Sequence, residues 1–399
     1  MADNNAYIVS ACRTAVGVLH GGLGTLTGPQ LGALAVKEAV KRAKIEPTDI
    51  DEVIMGHVLQ GGTGQAPARQ AAIKAGLPKE IPAITINKVC GSGLKAVMLA
   101  AQSIKAGDNQ VVVAGGMESM SNAPLVLHGA KTGVKFGHQK MLDLMILDGL
   151  WDSFNNYHMG SAAEHTARKG VVSRKEQDEF AFQSHMKAAA AQKAGKFNDE
   201  IFDVAIPQKK GDPIIFNKDE NIRPDITIEK LAKLNPAFEK EGSVTPGNAS
   251  SLNDGSACTV VVSEKYLKEK NLTPLARIME YAAAGTAPED LFFAPIFAVQ
   301  RLMGKMEVRV DHWELVEANE AFASQMLADG KELKWDPNRV NVNGGAIALG
   351  HPIGCSGARI VVTLLHEMER RKARHGLATL CVSGGMGGAL LVERGAAHE

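Results

Sequence analysis

Cys90 stands at a junction that could make a thiol reactive. The run AITINKV (83–89) reads as a strand, and Gly91-Ser92-Gly93 as a tight turn into a helical stretch opening LKAVMLAAQSI. A thiol at a helix start lies near the positive end of the helix dipole, which favours the nucleophilic thiolate. The flanking glycines let an acyl group approach the backbone. A small buried cysteine is the competing reading. His351 stands in a second glycine-crowded turn, running from Asn343 to Gly357 just ahead of another helical stretch. An imidazole there could take a proton from a thiol or donate to a developing oxyanion. Cys381 ends an apolar run and precedes Val382-Ser383-Gly384-Gly385. It could move protons on a substrate carbon, with backbone N–H groups after it serving an oxyanion, or it could be a core cysteine. Asn319, in Glu317-Ala318-Asn319-Glu320, could hold a water or donate through its amide. As an alternative, it caps a helix beginning at Glu320.

The elements that would position these residues occur twice. Cys90-Gly91-Ser92-Gly93, its helix and the strand VVVAGGM (111–117) parallel Gly354-Cys355-Ser356-Gly357, the stretch ARIVVTLLHEM and a strand TLCVSGGMGG (379–388). DIDEVIMGH (49–57) parallels DHWELVEAN (311–319), setting His57 opposite Asn319, and AYIVSA pairs with ARIMEY. Each half reads as βα alternation, an α/β class of mixed sheet covered by helices. The duplication brings His351 and Cys90 together across a pseudo-twofold axis. Residues from about Glu118 to Gly247 differ, with frequent Met and His, a helical stretch at 174–195 and proline joints. They read as an insertion capping one face of the duplicated core. The expected division is 1–118 with 248–270 as the N-terminal half, 119–247 as the insertion and 271–399 as the C-terminal half.

Composition bounds the rest. The 399 residues carry 44 Lys plus Arg against 44 Asp plus Glu, which gives no global attraction to nucleic acid or an anionic membrane. The cysteines number 5, scattered and without a CxxC pair, so neither a disulfide framework nor a metal site is expected. No apolar run approaches the ~18 residues of a membrane span, and the N-terminus carries no secretory or transit signature. A cytoplasmic protein with reduced thiols is expected.

NKVCGSG at Cys90, NEAFA at Asn319, GGAIALGHPIGCSGAR at His351 and CVSGGMGGA at Cys381 resemble the motifs of the thiolases, in order and in register. GGMESMSNAP (115–124) and VTPGNASSLNDGS (244–256) match as well, and Tyr157-His158-Met159-Gly160 resembles the short-chain branch. The resemblance implies a five-layer αβαβα thiolase fold with an inserted loop domain, assembled as a homodimer or homotetramer. It implies reversible condensation of two acetyl-CoA to acetoacetyl-CoA and coenzyme A, within fatty acid metabolism. No cofactor is implied, coenzyme A being substrate or product.

Carried onto this chain, Cys90 takes the acetyl group after His351 deprotonates it, and Cys381 exchanges protons with the methyl of a second acetyl-CoA. One oxyanion hole would use His351 and a water held by Asn319; the other, backbone N–H groups of Cys90 and Ser383. Ser383 stands where the family commonly has Gly, and a positive φ there would cost ~1 kcal/mol or more. Coenzyme A would contact Leu150, His158, Met159, Arg223, Phe238, Ala249, Ser250 and Leu252, with Ala321 and Phe322 at the acyl end. The alternative within the family is a 3-ketoacyl-CoA thiolase of broader chain length. Decarboxylating condensing enzymes need no second thiol, so Cys381 argues against them. A Cys-His-Asn protease lacks its local signatures here, and an inert acyl-CoA-binding scaffold would not need all four residues.

Overall fold

The computed structural model describes residues 5–133 and 136–395. The principal elements of the first half are β1 (Ala6–Arg13), α1 (Gly28–Ala43), β2 (Glu52–Gly56), α2 (Pro67–Lys74), β3 (Ala83–Ile86), α3 (Ser92–Ala106) and β4 (Val111–Ser119). After the inserted α4 (Met159–Lys169) and α5 (Arg174–Lys193), β5 (Asn253–Ser263) completes that half. The second half runs β6 (Ala276–Gly285), α6 (Ala294–Met306), β7 (Leu315–Ala318), α7 (Ala323–Leu333), α8 (Ile353–Arg371), β8 (His375–Val382) and β9 (Met386–Glu393).

Strand order repeats between the halves. The first sheet is ordered β1-β5-β4-β2-β3, with antiparallel pairs up to β4 and parallel pairs beyond. The second is ordered β6-β9-β8-β7, antiparallel up to β8 and parallel beyond, and a parallel bridge from Val316 to Val340 stands where β3 stands in the first half. The two sheets join where Ala6–Ile8 pairs with Ala276–Ile278.

Period-2 alternation sorts the strand residues between layers. Tyr7 and Val9 of β1 and Val111 and Val113 of β4 share an apolar cluster with α1 and α2. Ala6, Ile8, Val112 and Ala114 face the other way, into a cluster with α3 and α8. A third cluster packs α6 and α7 on the far side of the second sheet. The layering is therefore helices, sheet, helices, sheet, helices. No helix among the described residues is long and apolar enough to cross a membrane.

One element differs from expectation. TLCVSGGMGG is not a single strand: β8 ends at Val382, Ser383–Gly385 turns, and β9 begins at Met386. Gly384 and Gly385 take φ of 83° and 78°, which glycine adopts without strain, so the apolar run folds back on itself.

The insertion is tied down by charge as well as packing. Buried Arg13 at the end of β1 donates from Nε to Glu200 at 2.7 Å and from its two terminal nitrogens to Asp219 at 2.7 and 2.9 Å. Ser173 and Glu176 form a reciprocal capping box at the start of α5.

The central layer depends on close approach of α3 and α8. A Cβ built on Gly93 would come within 2.5 Å of the Ala358 backbone nitrogen, and one on Gly357 within 2.3 Å of that of Leu94. Both obstacles are backbone atoms, which cannot swing aside. Gly357→Ala is therefore expected to lower the unfolding free energy by about 1–3 kcal/mol or more, measured by denaturant titration. A variant as stable as the parent would show that the helices can separate without penalty.

Candidate active site

The turn from β3 into α3 is strained. Val89 has φ 44°, a left-handed conformation that β-branched residues avoid and that costs about 1–3 kcal/mol. Local hydrogen bonds hold it. Val89 N–H donates to Asn87 Oδ1 at 2.9 Å, Lys88 N–H donates to Ser92 Oγ at 2.9 Å, and the Ser92 hydroxyl donates to the Val89 carbonyl at 2.6 Å. This elbow delivers half-buried Cys90 just before the first turn of α3.

A helix start alone was expected to favour the Cys90 thiolate, and the structure corrects that. Burial pushes the thiol up to about 12, outweighing the backbone N–H groups of Cys90 and Ser383, which pull the other way, and Glu118 adds to the rise. Removing the sulfur from water outweighs the helix end. Cys90 therefore rests as a thiol and would need a base to act as a nucleophile.

His351 has the attributes of one. Its Nδ1 lies 2.5 Å from Ser356 Oγ, and the Ser356 hydroxyl donates to the Pro352 carbonyl at 2.9 Å. That assigns the serine's one hydrogen to the carbonyl, so Nδ1 carries the imidazole proton and Nε2 keeps its lone pair. Asn319 Nδ2, at 3.5 Å from Nε2, points a donor at that lone pair. The His351 backbone N–H donates to Asn253 Oδ1 at 2.8 Å. Burial, with a smaller contribution from Arg359, holds the His351 pKa down to about 4. The ring is neutral at physiological pH.

Cys381, 1 % exposed near the end of β8, is pushed well above the ordinary thiol range by burial, with charge at Cys90 and Asp329 adding to it. Ser383 does not take a positive φ; Gly384 and Gly385 do, so serine in glycine's place carries no backbone strain. Its N–H faces the Cys90 sulfur. Asn319 is fully buried and is not a helix cap, because α7 begins only at Ala323 with Phe322 at the capping position. Its Oδ1 has no partner among the described residues.

Cys90, His351, Cys381 and Ser383 line one cleft of about 710 Å³, with Asn319 behind His351. Leu150, His158, Met159, Arg223, Phe238, Ala249, Ser250, Leu252, Ala321 and Phe322 line the same cleft, so every expected contact residue is brought together. His158 stacks on Phe238 with ring centroids 4.9 Å apart, and Phe322 meets Phe238 and Phe292 edge-on. Ser250 N–H donates to the Ala321 carbonyl, joining the end of the insertion to the second half.

The sequence reading missed several residues that shape the site. Ser356 holds the His351 tautomer, and Asn253 holds the His351 backbone. Buried Glu118 accepts N–H groups from Val58, Leu59 and Gly354, clamping the start of α8 to the first half. Met120, Met145, Leu291 and Phe292 add to the lining. A signal for Ser356 existed: the duplication aligns it with Ser92, and each serine binds the turn preceding its helix.

The layered duplicate fold, with two thiols and a neutral imidazole on one cleft floor, defines a class. A family model described as the thiolase N-terminal domain matches residues 6–265, and one described as the thiolase C-terminal domain matches 272–394. The chain belongs to the thiolase family. It is 57% identical over 390 residues to an acetyl-CoA acetyltransferase of Cupriavidus necator, covering 98% of this chain and 99% of that one. The corresponding protein of Pseudomonas aeruginosa is 55% identical over 390 residues, with 98% and 99% covered. The crystal structure of the Bacillus anthracis acetyl-CoA acetyltransferase superposes with a TM-score of 0.97 at 44% identity, covering 98% and 99%.

A base held near pKa 4 makes a specific forecast. Between its folded pKa of about 4 and the unperturbed value near 6.5, His351 stays unprotonated in the fold. Acylation of Cys90 should keep its kcat/KM as pH falls through about 6.5, with the acid limb well below it. Ser356→Ala should slow acylation about 10–100-fold by releasing the tautomer. An acid limb at the ordinary histidine pKa, or full activity in Ser356→Ala, would contradict the arrangement.

Proposed function

We propose that the protein is an acyltransferase that condenses two acetyl-CoA into acetoacetyl-CoA and coenzyme A, and cleaves acetoacetyl-CoA in reverse. The observation that carries this reading is the meeting of Cys90, Cys381 and neutral His351 in one largely apolar cleft. Relatives sharing more than half of their residues with this chain bear the name acetyl-CoA acetyltransferase.

In the first half-reaction His351 Nε2 takes the Cys90 proton, and the sulfur attacks the acetyl-CoA carbonyl. The coenzyme A thiolate leaves and takes the proton from His351 Nε2, so the step balances without a redox partner. The backbone N–H groups of Cys90 and Ser383, both facing the Cys90 sulfur, are suited to the oxyanion formed beside it. In the second, His351 Nε2 would take the Cys381 proton, and the resulting thiolate removes a proton from the methyl of another acetyl-CoA. The carbanion attacks the acetyl-Cys90 carbonyl, a C–C bond forms, and the Cys90 C–S bond breaks. The enolate oxygen of that second thioester would accept from the proton then on His351 Nε2 and from a water on Asn319 Oδ1, and the departing Cys90 thiolate takes that proton back.

Leu150, His158, Met159, Phe238, Ala249, Ser250 and Leu252 form the wall for the coenzyme A arm, with Arg223 at the outer end, where a guanidinium can meet phosphate or a base. Ala321 and Phe322 bound the acyl group. A homodimer or homotetramer in a reducing cytoplasm completes the reading. It is supported by free cysteines throughout and by exposed Leu125, Phe136 and Met141 on the insertion.

The test is thiolysis of acetoacetyl-CoA by coenzyme A, run beside a longer 3-ketoacyl-CoA. Fast cleavage of the four-carbon substrate with little of the longer one is expected. Equal rates would move the reading to a broader 3-ketoacyl-CoA thiolase, and no cleavage of either would sink it. Cys90→Ser should lose at least about 10³-fold in turnover. Cys381→Ala should still form acetyl-enzyme, detectable by mass, yet make no acetoacetyl-CoA.

A further inference from the structure

Leu291 and Phe292 line the catalytic cleft yet have no role in the chemistry above. They belong to a short 3-10 turn, Pro288–Phe293, that leads from β6 into α6. Three attachments hold this turn in place. Ahead of it, Thr286 N–H donates to the Gly385 carbonyl at 2.6 Å, within the bend that follows Cys381. Behind it, the Ala294 carbonyl rests on Gly387 so closely that a Cβ there would overlap it. Between them, the Asp290 carboxylate accepts from Lys169 Nζ at 2.7 and 2.8 Å and meets His165 Nε2 at 3.0 Å. Both partners sit on α4, the helix that opens at cleft residue Met159.

A turn pinned at three points cannot swing its side chains out of the cleft. Phe292 is 2 % exposed and packs in one apolar cluster with Met159, Ala321, Phe322 and Cys381. Its ring stands edge-on to Phe322, with centroids 5.2 Å apart and planes at 69°. That geometry is favourable for two aromatic rings and leaves Phe292 few other rotamers in a close-packed cluster. Met120 and Met145 also line the cleft, but they pack in a separate cluster with Leu150 and Cys90. Their unbranched chains can yield to a ligand, whereas a fixed ring cannot. Phe293, the next residue, is not part of the cleft lining, and its ring lies 5.6 Å from Lys169 Nζ.

We propose that Phe292 is the chain-length stop of the acyl site: its fixed ring closes the apolar space beside Cys381 and Phe322, where the tail of a longer 3-ketoacyl group would have to lie. The proposal deepens the acyl-transfer reading above and rests on it. Such a wall discriminates by overlap, and a single methylene in an apolar pocket changes kcat/KM by about 10–200-fold. Shortening the side chain opens an apolar cavity that can take up those methylenes.

The test is thiolysis of straight-chain 3-ketoacyl-CoA of four, six and eight carbons by the full-length protein and three variants. The readout is the ratio of kcat/KM for each longer substrate to that for the four-carbon one. F292A should raise the six-carbon ratio at least about tenfold. F292L, which keeps an apolar side chain in the turn, should give a smaller rise in the same direction and carries the test if F292A does not fold. F293A loosens the same turn without touching the cleft and should leave the ratio where it is. Ratios unchanged in both F292A and F292L would overturn the proposal, as would an equal rise in F293A. Wild-type protein that cleaves all three lengths equally would also overturn it while keeping the acyl-transfer reading. Wild-type protein that cleaves none would sink that reading itself.

Discussion

The site depends on how closely two helices pass at the centre of the molecule. Gly93 of α3 lies against the α8 backbone at Ala358, and Gly357 of α8 against the α3 backbone at Leu94, with no room for a Cβ at either. Because each helix begins where its half of the duplication presents a functional group, their crossing sets Cys90 near His351. Separating them by the width of a methyl group would shift both starting turns, and reacting groups tolerate little displacement. Glu118 secures the same junction by accepting N–H groups from the first half and from the start of α8. Stability and chemistry therefore share one contact.

Burial determines the character of each group brought together there. Both thiols are pushed up and the imidazole is pushed down, so the resting floor of the cleft is uncharged. A low-dielectric site pays little to remain empty of charge, yet any charge that develops during reaction is felt strongly. The helix end and the Ser383 amide do not create a standing thiolate at Cys90. In the proposed reaction they would meet negative charge as it appears on sulfur or on a neighbouring oxygen, as preorganised donors do.

Much of this was legible in the residues. Repeated glycine-flanked turns gave the duplication, and the strand order of the two sheets repeats accordingly. The residues expected along the coenzyme A cleft line it, and Asn319 stands behind His351. Three readings failed for physical reasons. At Cys90 the helix end is outweighed by desolvation, which depends on tertiary packing. The strand through Cys381 was read too long because apolar residues continue across the Ser383–Gly385 turn. Asn319 was weighed as a cap, although the chain turns through Glu320–Phe322 before α7 begins. Glu118 and Asn253 stayed hidden because their partners lie far away in sequence.

The central claim is that His351 is held as a neutral base with its proton on Nδ1. Nitrogen-15 NMR of the protein labelled at histidine reads this directly. The His351 signal, assigned by loss in His351→Gln, should show the neutral Nδ1–H tautomer at pH 7 and should not titrate until pH is near 4. An imidazolium at neutral pH, or a neutral ring protonated on Nε2, would contradict it, because neither form could accept the proton of Cys90.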